Sequence, residues 1–376
     1  MNSTKYDLAV VGAGIVGLAH AWLAAKSGLS VVVIDRDPRC VGASIRNFGF
    51  ITVTGQRDGD TWRRARRSRD LWQDIAKQAN ISICHQGLTL VAQRPEALAV
   101  LEAFKETHMG EDCALLTQDE VAKTCSVVRT ESCVGGMYSP HELRVESRDA
   151  IPQIASWLAH NHHVDFLFNR EVLDFAIPHI QTSAGTLQAD RIVLCPGTEL
   201  NGVAKRYLQA YALSLTQLQM LRVRPPANFK LDSAVMSDLS FVRYAGYTGL
   251  GCHRALLTRL ESEAPESLAA GIHLIVVQSD DGSLVVGDSH HPATPYEPYG
   301  IESVDQLILK HLEETLLLTH YDVTHRWTGR YPVGPNDQDA LILSPEDNVR
   351  VVSVTSGSGA STAFGLAEEV MQSWGI

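Results

Sequence analysis

The chain has no C-x-x-C pair among its seven cysteines (Cys40, Cys84, Cys113, Cys125, Cys133, Cys195 and Cys252), and their number is odd. That excludes a disulfide framework or a zinc knuckle as the organising device and reads as reduced thiols in a cytoplasmic protein, with no metal expected. Positive charge is also short, with Lys+Arg 32 against Asp+Glu 43 and a formal net charge of −11. A general nucleic-acid binder or a protein that coats anionic membranes needs the opposite balance, so neither is expected as a partner. Any anion must be met by a local basic pocket. Internal repeats and low-complexity tracts are missing, and the longest mostly apolar stretch, 8–25, is broken by Gly12, Gly14 and Gly17, which argues against a secretory address. What remains is a chain of 376 residues, 45% hydrophobic and 20% charged. That is enough for a sizeable core and longer than one core usually sustains, which predicts two domains.

The glycines that break the first apolar stretch have a spacing with mechanical meaning. A β-rich run at 6–11 is followed by Gly12, Gly14 and Gly17, a helical stretch at 18–27, and a second β-branched strand at 31–34 that ends on Asp35. In a strand–turn–helix–strand unit Gly12 permits the tight turn, Gly14 lets backbone N–H groups approach a pyrophosphate, and Gly17 lets helix and strand pack closely. Asp35 is then placed to accept hydrogen bonds from a ribose. The pattern predicts a dinucleotide site without choosing between NAD and FAD.

Two further stretches add to it. The loop 42–49 gathers Gly42, Ala43, Ser44, Arg46 and Asn47 just after the ribose acid, where small and hydrogen-bonding residues can wrap a pyrophosphate. Gly357, Ser358, Gly359, Ala360, Ser361 and Thr362 lie between a strand and a helix expected at 363–373, so their N–H groups and the positive end of the helix dipole can face an electron-rich ring edge. Arg63, Arg64, Arg66, Arg67 and Arg69 are spread around every face of a helix, which predicts a solvated or subunit-contact helix in preference to a pocket. A linker-like cluster spans 290–299, and a long helical pattern spans 304–318.

Over nearly its whole length the sequence resembles the D-amino-acid-oxidase-like superfamily of FAD-dependent amine oxidoreductases, which includes sarcosine and glycine oxidases. The resemblance rests on the glycine fingerprint ending in Asp35, the loop 42–49, the run 171–197 with its closing strand and Gly197, and the strand, turn and helix of 351–369. The phrases at 42–49, 139–148, 281–291 and 363–370 are similar, more narrowly, to the branch associated with bacterial aminophosphonate breakdown.

The resemblance implies an α/β and α+β fold, in which a discontinuous Rossmann-like FAD-binding domain (1–82, 140–205 and 326–376) is interleaved with a β-sheet substrate domain (83–139 and 206–325). It adds Arg36, Val172 and Gly197 to the cofactor-binding residues. It implies hydride transfer from the carbon beside nitrogen to flavin N5, then imine hydrolysis, with oxygen or another acceptor reoxidising the cofactor. The substrate would be a small amine, foremost 2-aminoethylphosphonate or an N-alkyl derivative giving phosphonoacetaldehyde. Glycine, sarcosine or a D-amino acid are the alternatives. A nicotinamide-dependent dehydrogenase and a non-catalytic flavin subunit are rival readings, and self-association into a homo-oligomer stays open.

Glycine-oxidase-like members clamp the substrate carboxylate with an arginine directly before a proline. Here Tyr331 precedes Pro332 and Arg330 is one residue earlier, on the opposite face of a strand, so Tyr331 is the pocket candidate. Gly329 falls where some sarcosine-oxidase-like members carry a flavin-linking cysteine, which implies non-covalent FAD. Val285 takes the place of a lysine that promotes oxygen reaction in some oxidases. A dianionic phosphonate needs arginines or equivalent donors, drawn from Arg46, Arg144, Arg148 and Arg243 with Tyr244 and Tyr331, while His290 lines the flavin or binds an anion.

Overall fold

The computed structural model describes residues 5–293, 297–335 and 338–376; part of the linker-like cluster at 290–299 lies outside the described residues. Two sheets organise the chain. In the first, the strands Ala340–Glu346, Val349–Val354, Gly185–Leu194, Lys5–Val11, Val31–Ile34 and Asp165–Leu167 lie side by side, with the hairpin strands Val172–Ala176 and His179–Thr182 added to Gly185–Leu194. Four of the five pairings along this row are parallel, all but that of Ala340–Glu346 with Val349–Val354. Parallel strands are buried on both faces, which is why Val31–Ile34 reads as an unbroken β-branched run. Leu8 and Val10 enter the core beneath the helices, and Ala9 enters the core on the opposite face.

The first helix, Ile15–Lys26, begins three residues before its expected start because Gly17 is inside it. A Cβ at Gly17 would stand 1.9 Å from the Gly12 carbonyl oxygen, so a glycine that looks like loop is a packing glycine. The last helix, Gly359–Ser373, likewise takes in the small residues expected to precede it. The helix Glu302–Thr315 stops earlier than the apolar pattern suggests, since Leu316 bridges to Val128 and the Leu317 N–H donates to the Val127 carbonyl at 2.7 Å.

The arginine-rich helix, Asp60–Gln78, is pinned to its own chain. Arg64 makes a forked pair with Glu369 at 2.8 and 2.7 Å, and Arg67 another with Glu368 at 2.7 and 2.6 Å. Two arginines of the run, Arg64 and Arg67, therefore fasten this helix to the last one, while Arg63 and Arg67 remain more than half exposed, in keeping with the solvated helix expected. Between those helices Phe364 meets Trp22 and Trp72 edge-to-face at 5.3 Å each, and the Trp72 indole N–H donates to the Ala360 carbonyl at 2.8 Å. Each such ring pair is worth about 0.5–1.5 kcal/mol beyond area burial. Together they fix the first turn of the last helix.

The second sheet is mostly antiparallel and runs His291–Pro292, Ser214–Arg224, Leu284–Gly287, Ile275–Gln278, Ala234–Ser237, His85–Ala92, Gly135–Arg144 and Phe50–Ile51. Asp322–Val333 pairs along Ser214–Arg224, and Ala114–Leu116 pairs with Gly135–Arg144. Two of these strands cross the boundaries expected at 140 and 326. Gly135–Arg144 and Asp322–Val333 each lie in the second sheet throughout, because their partners are there.

Candidate active site

The elements around Asp35 form a small cavity of about 190 Å³, and the space between the two sheets forms a larger one of about 480 Å³. Gly14, Ala43, Ser44, Cys195 and Gly197 belong to the walls of both. Gly12, Asp35, Arg36, Gly42 and Val172 line the smaller cavity, and Gly17, Arg46, Asn47, Gly357, Ser358, Gly359, Ala360 and Ser361 line the larger. Thr362 lines neither. It is buried one turn further on, and its hydroxyl donates to the Ser358 carbonyl at 3.0 Å.

Local geometry shows why these residue types are needed. Gly12 has φ +107°, and a Cβ there would lie 2.5 Å from the Cys195 carbonyl oxygen. The Asp35 carboxylate accepts from the Ala13 N–H at 2.6 Å and the Asp37 N–H at 2.9 Å, so it is fixed at the strand end with lone pairs to spare. Arg36 pairs with Glu199 at 2.7 Å on the wall of the same cavity. In the loop 42–49, Ser44 Oγ accepts from the Ile15 N–H at 2.9 Å, Asn47 donates to the Ala43 carbonyl at 3.0 Å, and the Arg46 Nε–H donates to the Val41 carbonyl at 2.8 Å. The Trp327 indole N–H donates to the Arg46 carbonyl at 3.2 Å, which ties the loop to the second sheet. An acid for hydroxyls, a glycine-lined helix start for phosphates and a second helix start at Gly359 fit an adenine dinucleotide that carries a ring system.

All five residues expected at the substrate end (Arg46, Arg243, Tyr244, His290 and Tyr331) line the larger cavity. The register pairs Tyr331 with Thr216 and Gly329 with Leu218, so Tyr331 shares a face with Leu218 and Met220, which also line the cavity. Arg330 pairs with Gln217 on the alternate face, yet it also borders the cavity. Arg243 Nη2 lies 3.5 Å from the Tyr331 hydroxyl. Burial raises the pKa of Tyr331 and, much further, that of Tyr244, so both phenols stay protonated and can donate.

Arg144 and Arg148 are elsewhere. Arg144 is fully buried with Arg222 and Ser279 around Glu146, whose oxygens lie 3.3 Å from Arg144, 2.8 Å from Arg222 and 3.3 Å from Arg148. Burial opposes the Glu146 charge, but the two buried guanidiniums hold its pKa down to about 2. These arginines brace the second sheet and do not face the cavity. Val285 is packed in the core beneath the sheet and does not line the cavity.

The residues that sequence reasoning missed are His273 and Asp288. The antiparallel register Ile275↔Gly287 brings them together, and their backbones exchange two hydrogen bonds. His273 Nε2 lies 3.0 Å from Asp288 Oδ1, and His290 Nε2 lies 3.8 Å from Asp288 Oδ2. Burial opposes ionisation of Asp288, but the facing imidazoles of His290 and His273 and the Arg243 guanidinium outweigh it and keep its carboxyl below the usual range. Burial pushes His290 down to about 3 against the pull of Asp288. No local signal marked this pair, because fourteen residues of hairpin lie between its members and only pairing reveals it.

Comparison with known proteins agrees with this geometry. A family model described as FAD dependent oxidoreductase matches residues 7–373. Monomeric sarcosine oxidase of Bacillus sp. (strain B-0618) is 27% identical over 205 residues, 52% of each chain, so the match spans about half the length of that curated relative. Glycine oxidase of Bacillus cereus ATCC 14579 superposes with a TM-score of 0.78 at 18% identity, covering 98% of this chain and 96% of that one. L-alpha-glycerophosphate oxidase of Mycoplasma pneumoniae, solved with FAD bound, superposes with a TM-score of 0.76 at 16% identity, covering 99% and 95%.

Proposed function

The chain belongs to the FAD dependent oxidoreductase family, and from that premise we propose that it oxidises the C–N bond of a small amine carrying an anionic group. The nicotinamide-dependent reading falls with the family assignment. Bound FAD supplies the two-electron acceptor for the C–H bond beside nitrogen. The residues of the chain do the rest: Asp35, the glycine turn and the loop 42–49 hold the dinucleotide, and the first turn of Gly359–Ser373 presents its dipole to the ring end. Non-covalent binding is supported at Gly329, which offers no thiol to link a flavin.

Within this class we favour an aminoalkylphosphonate such as an N-alkyl 2-aminoethylphosphonate. The observation that carries it is the grouping of Arg243, Tyr244 and Tyr331 on one cavity wall, a cation and two protonated phenols that can share the oxygens of a dianion. Sarcosine and glycine are the alternative substrates, in line with the names of two of the relatives. Purified protein should show a flavin visible spectrum, and without oxygen N-methyl-2-aminoethylphosphonate should bleach it faster than sarcosine, glycine or D-alanine. Bleaching by the amino acids alone would remove the phosphonate reading. Flavin that no amine bleaches would leave a non-catalytic subunit.

A further inference from the structure

The hydrogen-bond accounting at His290 leaves a gap with a definite chemical demand. His290 Nδ1 lies 3.0 Å from the Gly271 carbonyl, which only accepts, so Nδ1 carries the proton and Nε2 presents a lone pair. That lone pair faces Asp288 Oδ2 at 3.8 Å, acceptor against acceptor, on the wall of the larger cavity. A donor with two N–H bonds placed between them satisfies both. A metal ion does not fit, although the donor atoms of His273, Asp288 and His290 lie within 4.8 Å of one another. The two imidazole rings are stacked, 5.1 Å apart and only 20° from parallel, so one ion cannot lie in both ring planes.

We propose that Asp288 and His290 form the nitrogen subsite: they receive the N–H donors of the substrate's ammonium, and His290 Nε2 takes the proton that must leave before C–H cleavage. This rests on the amine reading above. Hydride departure needs the nitrogen lone pair, which an ammonium lacks. In the transfer one N–H bond breaks and one Nε2–H bond forms, no electrons are gained or lost, and Asp288 remains the counter-charge whichever nitrogen holds the proton. Asp288 pulls against the burial that weakens His290, so the carboxylate that receives the ammonium is also the charge that favours the imidazolium once the proton has moved. The other groups facing His290 are His273, stacked on it and held by Asp288; Tyr331, edge-on at 5.9 Å; and Arg243, whose charge opposes an imidazolium. Tyr244 sits edge-on to His273.

The test uses the FAD-loaded protein without oxygen, following bleaching against pH. In the wild type the second-order rate constant should rise with an apparent pKa at least one unit below that of the free amine. His290→Gln should lose about a hundredfold at pH 7 and recover toward the wild type as the pH approaches the amine's own pKa, about 10.4 for an alkylammonium, where the substrate sheds its proton unaided, a magnitude ordinary for general-base catalysis. Asp288→Asn should weaken 2-aminoethylphosphonate at least tenfold, read by perturbation of the flavin spectrum, while leaving ethylphosphonate, which has no nitrogen, unchanged. Should either variant fail to fold, the other carries the test. A His290→Gln profile parallel to the wild type at every pH, or equal weakening of both phosphonates by Asp288→Asn, overturns the proposal while amine oxidation stands. A wild type that no amine bleaches overturns both.

Discussion

At the residue scale the site is built by what glycine permits. Gly17 is inside a helix, an unfavourable place for it on propensity alone, and the close approach of the Gly12 carbonyl explains why it is there. Gly17→Ala forces the helix off the strand and shifts the N–H groups at its start, which we propose meet the pyrophosphate. We expect a loss of about 1–3 kcal/mol in stability, the usual range for overpacking, and at least tenfold weaker FAD binding. Thermal unfolding with and without added FAD, together with cofactor titration of the apoprotein, measures both. Unchanged affinity would show that the helix start does not hold the phosphates.

At the scale of elements, the last helix does two jobs. Its first turn lines the cavity, and its body is clamped by Trp22, Trp72 and the Arg64 and Arg67 forks. The exposed fork contributes little, since solvent screens Arg67, whose side chain is 51% accessible, whereas Arg64 is 14% accessible. The packing beneath matters more. A Cβ at Gly365 would lie 2.9 Å from the Arg64 backbone, so Gly365→Ala must part the two helices and should cost about 1–3 kcal/mol. Because the same helix ends at the cavity, the variant should also bind FAD more weakly, whereas Arg67→Ala should change neither by a measurable amount. Urea unfolding and cofactor titration of the two variants make the comparison.

At the scale of the whole molecule, buried histidines predict acid lability. Burial pushes His20 down to about 4, and His85 and His290 each to about 3. Each favours the neutral ring in the fold, so its contribution is complete above the ordinary histidine pKa of about 6.5 and is lost as pH falls toward 3–4. Glu146 adds a loss at lower pH, from its unfolded value near 4.5 down to about 2. Asp238 works the other way. Burial, against its bonds to Gln93 and Arg94, raises it to about 6, so it favours the fold increasingly as pH drops from 6 to 4. The histidines outnumber it three to one, and urea midpoints should fall steadily from pH 6.5 to pH 4. A flat profile over that range would mean that the rings are solvated in the native state.

Sequence alone marked the candidate dinucleotide end, because the glycine fingerprint with Asp35, the loop 42–49 and the turn before the last helix are each short runs whose spacing is a local signal, whereas their assembly, with Gly12 against Cys195 and Ser44 on the Ile15 N–H, came with the fold. It also determined that Tyr331 and Arg330 lie on opposite faces of their strand, since alternation along a strand is a local rule. Tertiary structure decided the rest. The pairing of His273 with Asp288, the burial of Arg144 around Glu146 and the reach of Gly135–Arg144 and Asp322–Val333 into the second sheet each depend on which strand lies beside which. Pairing is chosen by burial across the whole core, and no window of sequence contains that choice.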